Sequence, residues 1–289
     1  MILDGKLVSG NLKDTLLNDI LELKKMNIIP KLAIILVGHS EESLVYINMK
    51  RKMCEELGIQ IIVYHFLESV LEGAIIEKIE ELNKDNLTHG ILIQLPLPKH
   101  FNKEKLLDKI SYQKDADGFH TINAGKIFQA NDINVIPCTP LGCIDLLDHY
   151  NIDVKGLNVA IIGTSNLVGL PLSMLLLQRG ATITLCNINT KNVKEHTIQS
   201  DMIIACCGVP HLIKSDWVKE GAIVIDIGIN RIKDVTKKNG HRLVGDVDFD
   251  GVKDKCKYIT PVPGGIGPMT VISLMKNIIK LAKNTYTKL

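Results

Sequence analysis

Seven short runs rich in Ile, Val and Leu punctuate this 289-residue chain, and helical patterns fill the intervals between them. KLAIILVG, IQIIVYHF and HGILIQLP come first, then NVAIIG, ATITLCN, DMIIACCG and GAIVIDIGI. Parallel strands can pair only across a crossover long enough to hold a helix, so the alternation restricts the chain to an α/β fold with helix-covered parallel sheets. Between the two series lies KDADGFHTINAGKIFQANDINVIPCTPLG, rich in turn formers and poor in periodicity, which marks a junction between domains. The boundary is expected near residues 118–121, giving a first domain over 1–120 and a second over 121–268. At 46% hydrophobic residues, the chain can bury two cores.

Composition excludes other classes. A formal charge of +2, with basic residues spread along the chain, offers no electrostatic footprint for nucleic acid. No apolar stretch is long enough to span a bilayer, and MILDGKLVSGNLK lacks both the apolar core of a signal peptide and the low acidity of a transit peptide. The seven cysteines include no C-x-x-C pair and no zinc-spaced His partners, so they are expected to be reduced thiols in a cytoplasmic protein without a metal site.

AIIGTSNLVGLP, residues 160–171, stands where a dinucleotide-binding turn stands in a strand-turn-helix unit, but Ser165 replaces the second glycine of G-x-G-x-x-G. Gly163 can make the tight turn and Gly169 can let the helix approach the sheet. A helix amino terminus from Asn166 onward can present N–H groups to a pyrophosphate. The same spacing also suits a glycine turn that binds nothing. The following strand ends in LCNINT, where an acid for a ribose hydroxyl or an arginine for a 2′-phosphate is expected. Asn187 and Asn189 can bond a ribose and Lys191 is the nearest cation, which leaves NAD and NADP both open.

In the first domain, SEESLVYINMKRKMCEELGI predicts a helix capped by Ser40 or Ser43 and running to about Leu57. Tyr46 and Lys50, four apart, share a face with Met53 and Leu57, while Lys52, Glu55 and Glu56 can face water. Lys50 is then either a snorkelling lysine or an amine desolvated for proton transfer. IQLPLP ends a strand with Gln94 at the carboxyl edge where open α/β sheets bind ligands, and DADGFH puts Asp115 and Asp117 in a glycine turn. Gln94 could equally be a satisfied core amide, and either aspartate a turn residue bonding its own backbone.

Taken in order, YINMK, IQLPLP, KDADGFH, PCTPLG, GTSNLVGLP, DIGIN, LVGDVDF and TPVPGGIGPMT resemble the bifunctional methylenetetrahydrofolate dehydrogenase/methenyltetrahydrofolate cyclohydrolase family, the FolD type, over essentially the whole chain. The resemblance implies a folate domain followed by a Rossmann domain, with the active site in the cleft between them. It also implies that a carboxyl-terminal helix, residues 269–289, returns to the folate domain. It assigns Lys50 as the central catalytic group, Tyr46 as the residue stacking on the folate, Gln94 as support for the lysine and Asp117 as the pterin anchor. Pro263 is placed on the folate wall, and Gly163, Thr164, Ser165 and Ile229 at the dinucleotide. The resemblance further implies a homodimer, and NADP as the cofactor with NAD possible.

Two departures bear on the cofactor. The family usually has arginine where this chain has Thr164, and basic or hydroxyl-bearing residues where it has NINT. NADP bound through another group such as Lys191, a preference for NAD, and a weak dehydrogenase beside an intact cyclohydrolase are the three readings this leaves. A shikimate-dehydrogenase-like oxidoreductase and a non-catalytic nucleotide sensor are the rival classes; Tyr46/Lys50 together with PGGIGPMT argue against the first, and Lys50, Gln94 and Asp117 against the second.

Overall fold

The structure is a computed structural model, and it describes residues 1–131, 133–236 and 240–286. In chain order the first elements are α1 (Gly5–Lys25), β1 (Lys31–Val37), α2 (Glu41–Leu57), β2 (Gln60–Phe66), α3 (Glu72–Lys84), β3 (Gly90–Ile93), α4 (Lys103–Leu107) and α5 (Thr121–Gln129). There follow α6 (Cys138–His149), β4 (Asn158–Ile162), α7 (Gly169–Gln178), β5 (Thr182–Cys186), α8 (Val193–Ile198), β6 (Met202–Ala205) and β7 (Ile223–Asp226). The last are β8 (Asn230–Lys233), β9 (His241–Val244), α9 (Phe249–Val252), β10 (Tyr258–Ile259) and α10 (Ile266–Tyr286). All seven apolar runs form strands, and every pairing among them is parallel.

The chain forms two compact units: residues 11–138 with 271–289, and residues 1–10 with 139–270. The division after Cys138 differs from the expected 118–121. Asn123 of α5 explains this, because its side chain donates to Asp115 at 2.8 Å and to the Tyr112 carbonyl at 3.0 Å, which ties the turn-rich stretch to the first unit. The division also falls inside α10, which begins at Ile266, three residues before its expected start; residues 287–289 of that expected helix lie outside the described residues.

The first unit holds a three-stranded sheet in the order β2-β1-β3. Central β1 is buried on both faces from Leu32 to Val37, as a helix-covered parallel strand must be. Ile75, Ile79 and Leu82 of α3 pack on it with Phe101, Leu106 and Ile110. From α10, Ile272, Met275, Ile278 and Ile279 are fully or almost fully buried. In the second unit five parallel strands run β10-β7-β6-β4-β5, around a core of Ala160, Ile162, Ile203, Val224 and Val252. The chain steps from β4 out to β5 and then back to β6 on the other side of β4. The direction of winding therefore reverses at β4, and the crevice at such a switch point is where open α/β sheets take ligands.

Candidate active site

The first unit gathers a buried polar cluster at the carboxyl ends of β1 and β3. Ser40 caps α2 by accepting from the Ser43 N–H at 3.4 Å, and the helix buries Ser43, Ile47, Lys50, Cys54 and Leu57. That stripe is turned slightly from the expected one, since Tyr46 and Met53 are half-buried on its flank; Lys52, Glu55 and Glu56 are exposed as expected. Lys50 is 8% exposed and donates to Gln94 Oε1 at 3.0 Å, while Gln94 Nε2 donates to the Leu95 carbonyl at 2.8 Å. An ammonium has only donors, so committing the amide NH₂ to the backbone leaves the carbonyl end facing the lysine. Lys50 thus spends one of its three donors on the protein. Burial, aided by Glu42, raises the pKa of Tyr46, and its hydroxyl has no hydrogen-bond partner among the described residues.

The two aspartates of DADG separate by their surroundings. Asp115, 2% exposed, accepts from the Gly118 N–H at 3.0 Å, the His120 N–H at 2.9 Å and the Asn123 amide. Burial still raises its pKa against those bonds. It is the turn residue of the two. Half-buried Asp117 is met by the Cys138 thiol, which lies 3.4 Å from its Oδ1, and by the Lys50 charge. Burial raises the Asp117 carboxyl, Lys50 pulls it back and Asp115 pushes it up again. The Cys138 thiol is itself raised by burial and by the Asp117 charge, so it serves as a donor rather than a thiolate. Asn277 of α10 secures this corner by donating to the Ala116 carbonyl at 3.0 Å and the Ile136 carbonyl at 2.9 Å. Sequence reasoning missed Cys138 and Asn277; the only signal was the position of Cys138 within PCTPLG.

In the second unit Gly163 follows β4 with φ 117°, a conformation open to glycine, and a Cβ there would lie 2.3 Å from the Cys206 carbonyl oxygen. A Cβ on Gly169 would lie 1.9 Å from the Gly163 oxygen. The turn is therefore a cradle with room for backbone only, and that fits a pyrophosphate approaching amide groups. The helix starts at Gly169 rather than Asn166, because exposed Ser165 holds a turn first: the Val168 N–H donates to its hydroxyl at 3.2 Å and the Leu170 N–H to its carbonyl at 3.1 Å. Thr164 is half-buried and Ile229 is 44% exposed. Exposed Pro263 lies in this unit, in the loop between β10 and α10. After β5, Asn187 Oδ1 accepts from the Asn189 N–H at 2.9 Å, so part of the side chain expected at a ribose is committed to its own turn. Among the described residues no group of three or more His, Cys, Asp or Glu is placed to hold a metal ion, and no helix is long and apolar enough to cross a membrane.

A lysine-centred polar cluster in one unit and a glycine turn with room for backbone only in the other fit the class of two-domain α/β enzymes that take a dinucleotide and a second ligand. Comparison with known proteins narrows it. The profile for the tetrahydrofolate dehydrogenase/cyclohydrolase catalytic domain matches residues 3–117, and that for its NAD(P)-binding domain matches residues 137–286. The bifunctional protein FolD of a Nitratiruptor species is 50% identical over 98% of both chains. The crystal structure of the FolD methylenetetrahydrofolate dehydrogenase/cyclohydrolase from Campylobacter jejuni is 46% identical, with a TM-score of 0.94 over 98% of this chain and 99% of that one. The Trypanosoma brucei FolD complexed with NADP cofactor and inhibitor gives a TM-score of 0.95 at 32% identity, over 98% of this chain and 97% of that one. The chain belongs to the tetrahydrofolate dehydrogenase/cyclohydrolase family. The family expected from the eight motifs is the family found.

Proposed function

We propose that this chain oxidises 5,10-methylenetetrahydrofolate to 5,10-methenyltetrahydrofolate with NADP⁺, and hydrolyses the methenyl product to 10-formyltetrahydrofolate. The observation that carries the reading is the buried Lys50–Gln94 pair with Asp117 beside it, the three residues to which the resemblance assigns the folate chemistry. NADP⁺, when bound, supplies the hydride acceptor. The protein's part in that step is to hold the bridging carbon in line, with Tyr46 offering a ring for the folate to stack on and Asp117 an acceptor for pterin N–H groups. A carboxyl that burial has raised gains more than an exposed one from new N–H donors, so the cost of its site is offset when the pterin arrives.

Hydrolysis calls for more from the side chains. Water adds to the cationic methenyl carbon, and a proton must leave that water and reach the departing ring nitrogen as the five-membered ring opens. Lys50 is the group we assign to that transfer. Gln94 fixes the direction of its amine through an acceptor that cannot itself titrate, and burial keeps bulk water from competing. In the other unit we assign Gly163, Thr164, Ser165 and Ile229 to the dinucleotide, and Pro263 to the folate. Seven unpaired cysteines support a reducing compartment, and we place the protein in the cytoplasm as a homodimer. The test is absorbance of methenyltetrahydrofolate formed from methylenetetrahydrofolate, with NADP⁺ and NAD⁺ in parallel. Turnover with one or both is expected, and turnover with neither overturns the dehydrogenase reading.

A further inference from the structure

DIGIN and LVGDVDF meet inside the second unit through two buried carboxylates. Asp226, at the end of β7 and 3% exposed, accepts from three backbone groups: the Gly228 N–H at 2.9 Å, the Asp246 N–H at 3.0 Å and the Val247 N–H at 2.9 Å. Asp246, fully buried, passes the connection on. Its Oδ2 accepts from the Cys207 N–H at 2.7 Å and the Gly208 N–H at 2.9 Å, and its Oδ1 accepts from Asn230 Nδ2 at 2.8 Å. The glycines of both segments are there to let the carboxylates in, since a Cβ on Gly245 would lie 1.7 Å from Asp226 Oδ2 and one on Gly228 would lie 2.2 Å from Asp246 Oδ1.

What these acids hold is the rim of the nucleotide cradle. Residues 206–208 run directly against the Gly163 turn: the Cys206 N–H donates to the Ile162 carbonyl at 2.8 Å, and the Cys206 thiol lies 3.4 Å from the Gly163 carbonyl oxygen. On the far side Gly228 and Asn230, both bonded into the acid pair, bracket exposed Ile229. We infer that Asp246, seated by Asp226, is a positioning residue for the dinucleotide: one carboxylate fixes both the 206–208 loop beside the Gly163 turn and the segment that presents Ile229. The inference rests on the dinucleotide reading of this unit. It makes the dehydrogenase, and not the cyclohydrolase, depend on a carboxylate that need not touch the cofactor.

Equilibrium NADP⁺ binding, followed by calorimetry, and methenyl hydrolysis, followed by absorbance, test this on the full chain. Asp246→Asn exchanges charge-assisted bonds for neutral ones, and NADP⁺ binding is expected to weaken about tenfold while cyclohydrolase turnover stays within about twofold; Asp246→Ala is expected to weaken binding further. Unchanged NADP⁺ binding in a folded Asp246→Asn protein overturns the inference. So does a parallel loss of both activities with a fallen melting midpoint, which assigns Asp246 to general stability. Should Asp246→Ala fail to fold, Asn230→Ala removes only the Oδ1 partner, and it too must weaken NADP⁺ binding selectively or the inference falls. A wild-type protein that binds neither NADP⁺ nor NAD⁺ is a different failure: it removes the dinucleotide reading itself, before any variant is compared.

Discussion

Asp117 in one unit and Asp246 in the other are both acids drawn out of bulk water, yet they are met differently. Asp246 has two backbone N–H groups and an asparagine amide on its oxygens; Asp117 has a thiol and, nearby, a lysine charge. Asp115, two residues from Asp117, falls with Asp246, its oxygens taken by the backbone. A carboxylate saturated by the main chain has nothing left to give a ligand and serves the scaffold. One held by a neighbouring side chain keeps its acceptor capacity for whatever enters. One chemical group is therefore used in two ways: fully buried Asp115 and Asp246 are held by backbone donors, and half-buried Asp117 by a side chain.

The sharpest way to break this contrast is Lys50→Met, which removes the group proposed for proton transfer. General acid-base help is worth roughly 10²–10⁴-fold, and a loss of methenyl hydrolysis of that order is expected with NADP⁺ affinity intact. Next comes the aspartate pair. Asp115→Ala leaves at least two backbone N–H groups and an amide unpaired, and about 3–5 kcal/mol of stability is expected to disappear, read from denaturant unfolding. Asp117→Asn is expected to leave the unfolding midpoint near wild type and to weaken folate binding roughly ten- to a hundredfold. If the two variants exchange behaviours, the donor-counting argument is wrong.

Smaller effects sharpen the nucleotide side. Thr164→Arg adds a bidentate group where the 2′-phosphate is proposed to sit, and NADP⁺ affinity is expected to rise about tenfold with NAD⁺ unchanged. An equal gain for both cofactors would remove Thr164 from the ribose. The smallest effect concerns pH. Burial holds Asp226 up at about 7, against the pull of the Val247, Asp246 and Gly228 N–H groups. A raised carboxyl binds its proton more tightly folded than unfolded. Its contribution is therefore full below about pH 4 and is lost as pH rises through about 7. The melting midpoint of the wild type, measured relative to Asp226→Asn, is expected to fall by on the order of a few degrees between pH 5 and 8. A flat difference would contradict the sign.

The strands were readable because a parallel strand buried on both faces must be an unbroken apolar run, and β1, β3, β4, β6 and β7 are such runs. The antiparallel pair β8 and β9 was not, since NRIK and HRLV carry little apolar signal. At the candidate site, helical spacing and a strand end singled out Lys50 and Gln94 without deciding their roles, which only the resemblance supplied. Spacing could not choose between Asp115 and Asp117, because the choice depends on which carboxylate the folded turn satisfies; there too only the resemblance pointed to Asp117. The unit boundary was hidden for the same kind of reason: one asparagine, Asn123, carries a turn-rich stretch across it by side-chain bonds.

The second unit joins residues 1–10 to residues far along the chain: Leu3 donates to the Ile259 carbonyl at 2.8 Å, Lys6 to the Gly264 carbonyl at 3.2 Å, and Ile2 bridges to Ile259. On the ribosome the two sides of those bonds are born far apart in time. At about 5–20 residues per second, a strand partner 256 positions downstream emerges roughly 13–50 s later, so residues 1–10 wait that long before β10 exists to pair with. The Lys50 cluster, whose strands and α2 lie within the first half of the chain, can assemble its sheet during that interval. It is sealed only when α10 arrives with Asn277. Both units are therefore completed by one stretch of the chain, from β10 into α10.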